Sequence, residues 1–215
     1  YSVLSVVCRD GMTYDSGFCG AVALHIGVGD IFVIAGQSNS AGFSKTPGVR
    51  EPVQGVHLFR NRCAWDIASD PMNERTDTAH SENAELYIPG QSPWLAFASA
   101  LKRELGYPIG LIQTSVGGSP LSAWNPEENG ILFRNMIRTV SMCGGRVKGV
   151  LWYQGETDAG GETETAGYLE RFAGFVSAVR REMNAPLLPF FTVQLNKFLS
   201  CSDPDADRRF AEIRE

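Results

Sequence analysis

The sequence predicts a three-layer α/β/α fold with a mostly parallel central sheet, and three observations predict it. Short apolar segments recur, IFVIA at 31–35, IGLIQT at 109–114 and VKGVLWY at 147–153, of the kind that suits strands buried on both faces. Segments with helical spacing of apolar residues lie between them. From residue 31 onward strand and helix alternate, the order of a parallel sheet with helices on both sides.

Taken in order, YSVLSVVCRDG, a Gly-rich turn and CGAVALHI predict a β hairpin over residues 1–25. It is either an edge piece or the end of an upstream β domain, so residues 1–28 are set apart from a main domain at 29–215. After the strand at 31–35, VHLFR at 56–60 is a second short strand. Residues 61–91 are polar and irregular, with Pro71, Pro89 and Gly90. A loop this long in a compact domain is more often functional than accidental. Ser92 and Pro93 supply an N-cap and a first-turn proline. Trp94, Phe97, Ala98, Leu101 and Leu105 then follow at helical spacing until Gly106. Phe133, Met136, Ile137 and Val140 mark a helix ended at Gly144–Gly145. Tyr168, Phe172, Phe175, Val176, Val179 and Met183 mark a long amphipathic helix that stops before Pro186. LLPFFTVQL at 187–195 is the last strand, and RRFAEIRE reads as a helix with no cap or stop signal. With Tyr rather than Met at position 1, the chain is expected to be cut at both ends.

Composition narrows the class. Of 215 residues, 43% are hydrophobic and 20% charged, as in a globular domain large enough to bury its own core. The net charge is −5, and basic residues gather only in pairs such as Lys102–Arg103, Arg180–Arg181 and Arg208–Arg209. That argues against a nucleic-acid partner. No apolar run approaches the roughly 20 residues that span a bilayer. The five cysteines form no CxxC pair, so no structural zinc is expected. Cys8 and Cys19 flank a turn-like stretch and are candidates to pair in an exported protein. Neither GxGxxG nor GxxxxGK[ST] occurs, which leaves a flavodoxin-like nucleotide binder without support. No cofactor or metal is expected.

Ligands of open α/β sheets bind beyond the carboxyl ends of the strands. Three strands here run into Gly-rich polar loops at that edge: IFVIA into GQSNSAG, IGLIQT into SVGGSPLSAW, and VLWY into QGETDAGG. Ser38 in the first loop is placed to attack a carbonyl if a base takes its proton; equally, Ser38 or Ser40 caps the following helix. Gly117–Gly118 in the second loop offers bare N–H groups for an oxyanion, or simply a tight turn. In the third, Gln154 offers a side-chain amide, and Glu156 and Asp158 add carboxyl groups or helix N-terminal charge.

Together GQSN, SVGGSPLSAW, WYQGETD and the terminal AEIRE resemble the SGNH (GDSL-like) hydrolase superfamily. They are most similar to its branch of sialate O-acetylesterases and carbohydrate esterase family 6 acetylxylan esterases, over residues from about Gly29 to Glu215. The resemblance implies a carbohydrate O-acetylesterase that passes through an acyl-enzyme, with an acetylated carbohydrate as its partner. It implies Ser38 as nucleophile, and oxyanion donors at the Ser38 N–H, at Gly118 (with Gly117 as a one-residue alternative) and at Gln154. Glu156 is expected at the site without a fixed role. Gln37, Asn39, Gly117 and Trp124 are expected to contact substrate, with Trp65 and the 61–91 loop as further candidates for the sugar ring; for Trp65, Trp124 and the loop, packing at the cleft rim is an equal alternative.

One part does not carry over. The family's Asp and His lie in a DxxH element after the final strand, and this sequence ends before it. Its own histidines are His25, ahead of the first sheet strand, His57, inside a short strand, and His80, in the long loop where it is a minor candidate to approach the cleft as a base. The expectation is therefore a chain truncated before its base and weakly active alone. The alternative is a non-catalytic carbohydrate-binding remnant of the same fold. Export rests only on analogy with enzymes that act on external glycans, and the sequence assigns neither a compartment nor an oligomeric state.

Overall fold

The structure is a computed structural model that describes residues 3–8, 14–23, 26–45, 52–196 and 205–214, the first two segments by backbone alone. Strands β1 (Val3–Cys8) and β2 (Tyr14–Ala23) pair antiparallel as a separate two-stranded sheet. The suggested pairing of Cys8 with Cys19 concerns side chains outside the described residues, as does His25.

Next come β3 (Asp30–Gly36), α1 (Ser38–Ala41), β4 (Val56–Phe59) and β5 (Trp65–Ile67). They are followed by α2 (Pro93–Leu105), β6 (Ile109–Gln113), α3 (Leu121–Trp124) and α4 (Ile131–Met142). The remainder is β7 (Gly149–Tyr153), α5 (Glu162–Ala166), α6 (Tyr168–Glu182), β8 (Phe190–Thr192) and α7 (Ala206–Arg214). The six-stranded sheet runs β5-β4-β6-β3-β7-β8, parallel except for β4 with β5.

Alternation along β3 explains the three layers. Phe32 and Ile34 face one side, where Leu58, Leu111 and Leu151 meet Trp94, Leu95 and Ala98 of α2. Val33 and Ala35 face the other, where Ile112, Val150 and Trp152 meet Phe133 and Met136 of α4 and Phe175 and Val179 of α6. Burying apolar area on both faces at about 25 cal/mol per Å² is the main drive holding the layers. The α2 cap forms as the sequence predicts: Ser92 Oγ accepts the Trp94 N–H, and Gly106 closes the helix at φ 75°. No helix among the described residues is long and apolar enough to cross a membrane.

This order puts β3 at the centre, between β6 and β7. The chain passes from β6, on one side of β3, to β7 on the other, so the carboxyl ends of all three meet at a topological switch point. The three Gly-rich loops leave from those three ends.

Candidate active site

Backbone bonds stitch the three loops to the end of β3. Gly36 O accepts the Val116 N–H at 3.0 Å, and the Gln37 N–H reaches Tyr153 O at 3.0 Å. Gly36 itself sits at φ 118°, with the Tyr153 backbone 2.2 Å from where a Cβ would stand, so only glycine fits this crossing.

Side chains complete the join. Gln37, 4% exposed, accepts N–H groups from Thr157 at 3.1 Å and Gly155 at 3.4 Å through its Oε1. Gln154 Nε2 lies 2.5 Å from Asp158 Oδ2, 3.1 Å from Ser119 O and 3.3 Å from Gln37 Oε1. Its Oε1 accepts from the Tyr168 hydroxyl at 2.7 Å. An amide nitrogen has two hydrogens, and three protein acceptors already surround this one. The structure thus makes Gln154 a buried strut between loops, with no hydrogen to spare for an oxyanion. Asp158, fully buried, also accepts the Leu121 N–H at 2.9 Å and so anchors the start of α3. Burial pushes its carboxyl above the ordinary range, against the pull of its donors and of Arg171 at 3.5 Å.

The two serines of GQSNSAG separate cleanly. Ser40 is fully buried; its hydroxyl donates to Ala35 O at 2.8 Å and accepts from Trp94 Nε1 at 2.9 Å. Ser38 is the first residue of α1, half-buried, and its hydroxyl has no hydrogen-bond partner among the described residues. Neither serine caps α1, whose N-cap is Gln37. The Ser38 N–H is one of the unpaired donors of a helix start. On the second loop the Gly117 N–H is taken by Glu85 Oε2 at 2.9 Å, whereas the exposed Gly118 N–H meets no described acceptor. Asn39 Nδ2, beside Ser38 in sequence, donates to Glu156 Oε1 at 2.5 Å. Glu156 Oε2 is buried with no partner among the described residues, and burial raises this carboxyl above its ordinary value.

With this geometry in place, the chain can be set beside known proteins. Residues 28–213 match the family described as carbohydrate esterase, sialic acid-specific acetylesterase. The chain belongs to this family. A probable carbohydrate esterase of Arabidopsis thaliana is 27% identical over 77% of this chain and 68% of its own. Human sialate O-acetylesterase is 30% identical over 86% of this chain, but the match spans only 43% of the human protein. The fold matches a solved Arabidopsis thaliana structure with a TM-score of 0.70 at 24% identity, covering 86% of this chain and 78% of that one. It also matches a carbohydrate acetylesterase from Xanthomonas citri at 0.58 and 23% identity, over 86% and 46%.

Other expected site residues of this esterase-family chain lie elsewhere. Trp124 is fully buried in the core, ring to ring with Trp152 at 5.4 Å and Phe175 at 6.2 Å, and donates to Ser119 Oγ at 3.0 Å. It supports the second loop from below and presents no face to a sugar. Trp65 lies on the edge strand β5 and lines a cavity of about 400 Å³ with Gly29, Pro108 and His57, at the amino ends of β3, β6 and β4. That is the sheet edge opposite Ser38. His80 precedes a 3₁₀ turn (Ser81–Asn83) that docks on α4 through Asn83 Oδ1 and Asn135 Nδ2.

The sequence missed what surrounds the loops. A cleft of about 530 Å³ beside Asn39 is lined by Phe43, Gln91, Pro93 and Tyr153. Burial, with the Glu156 charge adding to it, raises the Tyr153 hydroxyl pKa. Among the described residues no three His, Cys, Asp or Glu side chains gather to hold a metal.

Proposed function

We propose that this protein hydrolyses acetyl esters on a carbohydrate, with Ser38 as nucleophile and an acetyl-enzyme intermediate. The observation that carries the reading is the contrast within one motif: the Ser40 hydroxyl is buried and doubly bonded, and the Ser38 hydroxyl at the loop edge of the sheet has no partner among the described residues. Family membership and the relatives' printed activities support the acetyl ester.

In this reading Ser38 Oγ loses its proton to a base and attacks the ester carbonyl. The oxyanion is held by the Ser38 and Gly118 N–H groups, neither of which meets an acceptor among the described residues. The sugar leaves as an alcohol, and water then releases acetate. The cleft beside Asn39 is the natural place for the sugar, at a volume within the usual range for ligand sites. The base is assigned to the DxxH element implied by the SGNH resemblance. His57 lies at the opposite edge of the sheet, and the 215 residues alone are expected to turn over little.

The test is acetate release from O-acetylated sialic acid and acetylated xylan by the full-length gene product and its Ser38→Ala variant. Loss of turnover in the variant is expected. Full turnover in S38A rejects the nucleophile assignment. Binding of the sugars without hydrolysis by the wild type favours a carbohydrate-binding remnant instead.

A further inference from the structure

The 61–91 loop carries a buried acid that this chemistry does not use. Glu85 is 2% exposed, and N–H donors converge on both of its oxygens. Oε2 accepts from Gly117 at 2.9 Å and from Asn73 Nδ2 at 2.8 Å, and Oε1 from Leu86 at 3.1 Å. Asn73, fully buried, also donates to Ser115 O at 3.1 Å and receives Asn61 Nδ2 at 2.5 Å. Glu85 and Asn73 therefore grip the second loop at two points, Ser115 O and the Gly117 N–H.

The turn between those points gives the grip its meaning. The Ser119 N–H approaches Val116 O at 3.4 Å, and Gly118 in the third position has φ 69°. That is the pattern of a type II turn. Its central peptide carries the Gly118 N–H. A turn with two glycines in the middle can exchange between types I and II by rotating that peptide, which reverses the direction of its N–H. Glu85 anchors the corner that precedes this peptide. It accepts the Gly117 N–H, and it packs so closely that a Cβ on Gly117 would stand 2.7 Å from Oε1. At Gly118 nothing among the described residues lies within 4 Å of the Cβ position. One amide of the pair is consumed by the acid, and the other is left open.

We propose that Glu85 is a positioning residue for the oxyanion turn: by accepting the Gly117 N–H, it holds the turn so that the Gly118 N–H faces the reacting carbonyl. This rests on the esterase reading with Gly118 as donor. Glu85 touches no substrate, so its effect falls on the step in which negative charge develops on oxygen. Ground-state binding of the sugar is left largely unchanged.

The test measures kcat and KM of the full-length gene product carrying E85Q and E85A, with thermal melting as a control for folding. E85Q keeps one acceptor for Gly117 and is expected to lose about tenfold in kcat. E85A keeps none and is expected to lose about a hundredfold, the scale set by a misplaced oxyanion donor. KM should stay within about twofold for both. Wild-type kcat in folded E85A, or a loss carried by KM, overturns the proposal and leaves the esterase reading standing. If the wild type and S38A do not differ in turnover, the esterase reading fails and this proposal falls with it. If E85A does not fold, E85D replaces it, its carboxyl one methylene short of Gly117; wild-type kcat there also overturns the proposal.

Discussion

Trp94 donates its indole Nε1–H to the Ser40 hydroxyl at 2.9 Å, joining residues 54 apart in sequence. The same serine's carbonyl accepts from Ser92 Oγ at 3.0 Å, so the cap of α2 and the loop after β3 form one unit. Ser40→Ala would leave the Trp94 donor and one approach to Ala35 O unsatisfied in a fully buried site. A buried polar group stripped of its partner costs about 1–3 kcal/mol. S40A is therefore expected to lose stability on that scale in urea unfolding while retaining esterase turnover. Abolished turnover in well-folded S40A would mean that the roles of the two serines are reversed.

Asp158 offers a second separation of structure from chemistry. It holds Gln154 Nε2 and the Leu121 N–H, and so ties the third loop to the start of α3. Asp158→Ala removes the one oxygen that accepts from both donors and is expected to cost about 3 kcal/mol. Asp158→Asn keeps the shape and one acceptor oxygen and should cost clearly less. Chemical denaturation of both variants checks the ranking, and equal losses would show that neither the shape nor the acceptor oxygen kept by asparagine stabilises the site, leaving the carboxylate charge as what matters there.

The architecture was largely legible in the sequence and the site only partly so. Runs such as IFVIA and VLWY are buried on both faces, so composition alone marks them as central parallel strands. Strand β5 was not legible: Trp65–Ile67 is three residues long, exposed at the first two, and joins the sheet through its antiparallel pairing with β4. Helices α1, α3 and α5 span four or five residues, too few to show a period. The three loops were found because each follows a recognisable strand. What the sequence could not show is which group in each loop is already occupied. Gln154 looked free until Asp158 and Tyr168 closed on it, four and fourteen residues later. Glu85 gave no signal at all, being one acid in a polar loop whose partner Gly117 lies 32 residues away.

Glu156 predicts a pH dependence with a definite sign. Burial raises its carboxyl pKa in the fold, so the folded state holds this proton more tightly than the unfolded chain. Its contribution to stability is greatest below the unfolded value of about 4.3 and declines as pH rises through the folded value. Glu156→Gln mimics the protonated form at every pH. E156Q is expected to melt higher than wild type at pH 7, with the gap closing below about pH 4. A gap that is constant with pH, or that widens in acid, contradicts the burial of a charge at this position.

Gly117 and Gly118 are adjacent and chemically identical, yet they should respond differently to one added methyl. At Gly118 the space is open, and the objection to alanine is conformational: φ 69° lies in the left-handed region. That strain costs about 1 kcal/mol. At Gly117 the objection is steric. The new Cβ would meet Glu85 Oε1 at 2.7 Å and Phe43 Cε2 at 3.2 Å, and Glu85 is held in place by its own donors. Overpacking of this kind costs about 1–3 kcal/mol, and here it also pushes on the Gly117–Glu85 hydrogen bond. Gly117→Ala is therefore expected to lower the urea midpoint more than Gly118→Ala, and to disturb turnover through the turn's orientation. If G118A proves the more destabilising, Glu85 yields to the methyl, and the close packing against Gly117 does not fix the turn.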